Sequence, residues 1–166
     1  MKRVEPKGSA RSSFRDYYRR MGFEFSETME GTVEWSSEPG VKKPFKFEIT
    51  AHAESTREHL RDGKVAVRGV LTAPPLAEAA DCMGTMTIRP IGQKIIRYEL
   101  EFVGDDGKSY EVVGQKDIKF RRLAYSWTHL PLDVLDDQHR RVGVAATRFD
   151  VKRDMIGFLR SFQRAR

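Results

Sequence analysis

Period-two alternation constrains this chain more than any other feature of its sequence. Phe23, Phe25, Met29, Val33 and Trp35 share one parity, while Glu24, Ser26, Thr28, Glu30, Thr32 and Glu34 share the other. A β-strand turns successive side chains to opposite faces, so this segment is a strand with one face in a core and one in water. Glu27 is the exception on the apolar face. The run ends at Ser36-Ser37-Glu38-Pro39-Gly40, a turn by composition. The same alternation recurs at Phe45, Phe47, Ile49 and Ala51, then at Val65, Val67, Gly69 and Leu71. Further strands are expected over 82–89, 94–103, 109–118, 123–130 and 142–149. Gly104-Asp105-Asp106-Gly107-Lys108 is the strongest hairpin signal, because Asp-Gly accepts the positive φ angles of tight turns.

Eight strands with regular turn signals predict a mainly β fold. The expected form is an eight-stranded antiparallel up-and-down barrel of lipocalin-like type, with a β-sandwich as the alternative. Short helical stretches are expected at 13–21 and 54–60, and a single helical turn or loop at 76–80. Asp150 suits an N-cap for a C-terminal helix over 151–163, with Met155, Ile156, Leu159 and Phe162 as its apolar stripe. Gly31, Gly69, Gly84 and Gly114 fall mid-strand, where glycine marks a bulge or bend.

At 166 residues the chain has the size of one domain. Residues 1–20 read as a basic, partly disordered leader and 21–166 as a single domain. The formal charge is +6, but it is unevenly placed. Residues 1–20 carry seven cations and two anions, and residues 152–166 five cations and one anion. The segment between them is therefore net negative, which argues against a nucleic-acid-binding body despite a pI near 9.5. The basic ends suit an acidic partner or a membrane surface. Cys82 is the single cysteine, so no intramolecular disulfide forms. No apolar run is long enough for a membrane-spanning helix, and the first residues lack a signal-peptide core, which predicts a soluble cytoplasmic protein.

Motifs for chemistry are sparse. The four histidines, His52, His59, His129 and His139, have no metal-ligand spacing. No phosphate loop or serine elbow occurs, so no cofactor and no catalytic residue is assigned. A Cys82 thiol on an apolar parity is expected to be inert. Inward polar groups carry the functional reading. Glu27, Tyr98 and Lys116 lie on apolar parities of their strands, and His129 shares parity with Leu123, Tyr125 and Trp127. A charge inside an apolar barrel is costly unless paired, so a Glu27–Lys116 or Glu27–His129 pair is expected. A strand bulge that reverses parity is the competing explanation.

Several phrases occur together and in order: Phe25-Ser-Glu27-Thr-Met29-Glu-Gly31, Gly84-Thr-Met-Thr-Ile88, Arg97-Tyr98-Glu-Leu100-Glu-Phe102, Gly114-Gln-Lys116-Asp-Ile118 and Trp127-Thr128-His-Leu130. Over roughly residues 23–160 the chain resembles a small bacterial β-rich accessory domain of cholesterol-oxidase-like glucose–methanol–choline oxidoreductases. The chain lacks the dinucleotide fingerprint of the flavin domain, so the resemblance implies no flavin chemistry. It implies at most a link to sterols or other lipids, and a role beside an oxidoreductase.

The expected function is a non-enzymatic binding module for a small apolar molecule, or docking onto a partner enzyme or a second copy. The expected ligand-binding residues are Phe25, Met29, Phe47, Met86, Tyr98, Phe102 and Trp127, with Glu27, Lys116 and His129 as polar anchors. A barrel-type cyclase or isomerase using Glu27 or His129 as acid/base is one alternative. A protein-interaction domain with basic termini is the other.

Overall fold

The computed structural model describes residues 23–53, 63–89, 93, 95–117 and 129–149. Eight strands follow in order: β1 (Phe23–Trp35), β2 (Lys42–Ala53), β3 (Lys64–Ala73), β4 (Ala77–Arg89), β5 (Ile95–Val103), β6 (Ser109–Asp117), β7 (His129–Leu135) and β8 (Arg141–Phe149). Each pairs antiparallel with the next, and β1 also pairs with β8, so the sheet closes into a barrel without edges. The sandwich alternative is thereby excluded. The leader, the stretches at 13–21 and 54–60, the segment 118–128 and the helix over 151–163 lie outside the described residues. Among the described residues no helix is long and apolar enough to cross a membrane.

The alternation in sequence becomes an inside and an outside. Met29, Val33, Phe47, Leu71, Leu100 and Val112 are fully buried in the lumen. Their sequence neighbours Glu30, Glu34, Glu48, Glu99 and Glu101 face outward or are only half-covered.

Four tight turns lie at one end of the barrel, joining β1–β2, β3–β4, β5–β6 and β7–β8. That end is well tied. The Trp35 indole donates to the Pro74 carbonyl at 2.8 Å, from the β1–β2 side to the β3–β4 turn, where the Pro74–Pro75 peptide is cis. Asp105 N–H donates to Leu76 O at 2.7 Å, and Glu78 N–H donates to Asp105 Oδ2. In the β5–β6 hairpin Gly107 has φ 76°, as its Asp-Gly sequence predicts. In the β7–β8 turn Asp136 Oδ1 accepts from the Gln138 and Arg140 amides, and Arg140 pairs with its other oxygen at 2.7 Å. The two longest connections, β2–β3 and β6–β7, leave from the opposite end, where β1 begins and β8 finishes.

Two expectations are corrected. Residues 76–80 are not a helical turn: β4 already begins at Ala77, opposite Ala73. The alanines there favour a helix by propensity, but pairing with β3 and the bonds through Asp105 hold them extended. Strand seven does not end at residue 130 but runs over His129–Leu135, with Leu130, Leu132 and Val134 inward. Proline lacks an N–H, so within a sheet it sits where no ladder bond is needed from it. In the structure the β6–β7 ladder ends at Leu132, so Pro131 breaks no bond on that side.

The mid-strand glycines mark close approach between strands. A Cβ on Gly69 would overlap the Glu48 carbonyl of β2, and one on Gly84 the Glu99 carbonyl of β5. Gly69→Ala is therefore expected to destabilise the barrel by about 1–3 kcal/mol or more through overpacking against backbone. Gly107→Ala, in open space at positive φ, should cost only about 1–2 kcal/mol. Urea unfolding midpoints of the two variants check the order.

Candidate functional site

Three polar side chains meet inside the barrel. Glu27 comes from β1, Tyr98 from β5 and Lys116 from β6. In a closed eight-strand barrel β1 and β5 stand on opposite walls, so the contact spans the lumen. The Tyr98 hydroxyl lies 3.0 Å from Glu27 Oε1 and 2.9 Å from Oε2, and donates its one hydrogen between them. Lys116 Nζ lies 3.4 Å from Glu27 Oε1 and 5.2 Å from the centre of the Tyr98 ring. The ammonium thus faces both a carboxylate and an aromatic face, a combination that offsets part of its desolvation. Tyr98 is the closer partner of the carboxylate, since 3.4 Å is long for a direct hydrogen bond.

Local packing fixes these groups. The Tyr98 ring lies 6.0 Å from that of Phe47 at 56°, and Met86 pairs with Tyr98 across β4–β5. Gly114 pairs with Tyr98 on the other side, and Ile96 pairs with Lys116. Tyr98 is only 1% exposed, whereas Glu27 and Lys116 keep 8% and 6%. Burial, and then the Glu27 charge, push the Tyr98 phenol well above its ordinary range, so it stays protonated and remains a donor at neutral pH.

The remaining expected site residues divide clearly. Met29, Phe47, Met86 and Phe102 are buried in the lumen. Phe102 stacks on Tyr110 at 5.4 Å near the tight-turn end, away from the Glu27 level. Trp127 and the side chain of Phe25 lie outside the described residues. His129 does not share the inward parity: it is half-buried, pairs with Arg148, and the inward positions of β7 are the even ones. The proposed Glu27–His129 pairing thus gives way to Glu27–Lys116. Inward parity also brings in Thr147, 1% exposed, whose hydroxyl donates to Leu130 O at 3.2 Å.

Cys82 is buried, and desolvation together with the nearby Asp81 charge raises its thiol to about 11. It is a neutral core group at physiological pH rather than a nucleophile. Among the described residues no group of three His, Cys, Asp or Glu side chains is placed to hold a metal ion.

Fold and site together define a closed antiparallel barrel with a buried Glu–Tyr–Lys cluster. No protein-family model matches the chain, and no curated protein matches it.

The cluster makes a specific energetic demand. Lys116→Met should destabilise the protein by about 3–5 kcal/mol, because it leaves a buried carboxylate without its cation. Glu27→Leu combined with Lys116→Met should recover most of that loss. Tyr98→Phe should cost about 1.5–3 kcal/mol, the range for a hydrogen bond to a charged group. Chemical denaturation of the wild type and these three variants measures the pattern; a double variant no more stable than Lys116→Met would contradict it.

Proposed function

We propose that the barrel is a binding module for a small, predominantly apolar molecule with one polar group. The Glu27–Tyr98–Lys116 cluster is the polar anchor, and the molecule enters from the end opposite the tight turns. The observation that carries this reading is the placement of an ion pair inside an apolar lumen. Replacing such a pair with apolar residues is often neutral or stabilising, so stability alone is a weak reason to keep it.

Two features support the direction of entry. Glu27, Tyr98 and Lys116 lie toward the ends of β1, β5 and β6 that are remote from the tight turns. On the tight-turn side of them, Met29, Val33, Leu100 and Val112 have no exposure at all. On the other side the inward positions of β2 and β3 carry the smaller Ala51, Val65 and Val67. Apolar walls with a few convergent polar groups are the usual composition of a small-molecule site. The barrel's lipocalin-like character follows from this reading.

Native mass spectrometry of freshly purified protein tests it. A retained adduct of a few hundred daltons is expected, and it should be lost in Glu27→Leu/Lys116→Met. An adduct-free protein that also leaves a fluorescent apolar probe unbound would overturn the reading. A probe bound equally by the double variant would remove the cluster from it.

A further inference from the structure

The outer wall formed by β3, β4 and β5 is not an ordinary wet face. Among the described residues Met83 and Val103 are the most exposed large apolar side chains, at 65% and 57%. Both line one cleft of about 290 Å³ beside the tight turns. Val70, 41% exposed, borders it by pairing with Asp81 across β3–β4. Arg68 lies beside Met83 in the same ladder, at the edge of the patch.

The cleft's charges are of one sign. Asp81, Glu101, Glu111, Asp136 and Asp137 line it, with no lysine or arginine. Asp136 serves its own turn through Arg140, and Glu111 has His139 Nδ1 at 3.5 Å. Asp81 and Glu101 form no ion pair among the described residues. Glu101 and Glu111 stand directly opposite each other across β5–β6. Like charges in that position weaken a sheet. A cationic segment with apolar side chains would relieve the repulsion and cover Met83 and Val103 together.

We propose that this cleft docks the basic leader, residues 2–20, of a second copy of the chain. The leader has the complementary chemistry: net charge +5, with Phe14, Tyr17 and Tyr18 set among Arg15, Arg19 and Arg20. Its own barrel is out of reach for that cluster. Phe23 starts β1 at the end remote from the tight turns, on the wall opposite β5. Arg15 lies eight residues before Phe23 and extends at most about 28 Å from it. At a strand tilt of about 40° the twelve steps of β1, about 3.3 Å each, still rise about 30 Å from Phe23 to the tight turns beside the cleft, and the path must also cross to the other wall. A second copy meets neither restriction. The contact is head-to-tail, each copy giving a leader and receiving one.

Sedimentation velocity of the full chain tests the proposal by complementation. At about 0.05 M salt the wild type should sediment above its 19.1 kDa monomer mass, and at about 0.5 M salt, where charge is screened, as the monomer. Glu101→Lys/Glu111→Lys loses the cleft, and Arg15→Glu/Arg19→Glu loses the leader; each alone should be monomeric at low salt. Their mixture should form a one-to-one dimer, because the first keeps a leader and the second a cleft. A monomeric wild type at low salt, association of either variant alone, or a monomeric mixture would each overturn the proposal. If the lysine variant fails to fold, Met83→Ser tests the same surface, and unchanged association in it counts against the cleft.

Discussion

The hydrogen bonds from Tyr98 to Glu27 join opposite walls of the barrel, and the rest of the interior is organised about them. On one side the lumen is filled by Phe45, Phe47, Leu71 and Leu100, all with almost no exposure. On the other lie smaller side chains and the strand ends that lead to the longer connections. Lys116 completes the cluster by balancing the carboxylate and resting over the tyrosine ring. Each member depends on the others. Without the lysine a buried negative charge remains; without the tyrosine the carboxylate loses its closest donor. In a low-dielectric interior, such partly satisfied groups are far more costly than an apolar core.

That arrangement needs a closed and rigid frame. Closure of β1 onto β8 removes free edges; at one end Trp35 and Asp105 tie the first three tight turns together, and Asp136 braces the β7–β8 turn from within. Close strand approach at Gly69 and Gly84 brings neighbouring backbones together where any side chain would intrude. The frame thus holds Glu27 and Tyr98 at hydrogen-bonding distance across the lumen, although 71 residues separate them in sequence. Function is proposed at the less constrained end, and association at the outer wall near the tied end.

Much of this was legible because burial in a barrel follows parity. Glu27, Tyr98 and Lys116 each stand among apolar residues of the same parity, and the strand registers contain no bulge at these positions. Parity failed where the strand bounds were off. With the seventh strand expected over 123–130, His129 shared the parity of Leu123, Tyr125 and Trp127; in β7 the inward positions are Leu130, Leu132 and Val134. The alanines after Ala77 suggested a helix that strand pairing overrides. The outer cleft was harder still to find. Met83 and Val103 are single apolar residues on wet faces, which are common and carry no signal alone. Only strand register sets them beside Glu101 and Glu111. The charge division between leader and body was visible in the sequence; the surface that gives it a destination was not.

Tyr98 is a buried, protonated donor to the Glu27 carboxyl group. NMR of protein labelled at the tyrosine Cζ, with Tyr98 assigned through Tyr98→Phe, reads this directly across an alkaline titration. The phenol pKa is raised in the fold, so Tyr98 should keep its protonated shift past the ordinary tyrosine midpoint of about 10. The stability tied to that proton is present below this midpoint and declines as pH rises above it. A Tyr98 resonance that titrates near 10, like an exposed phenol, would contradict the account.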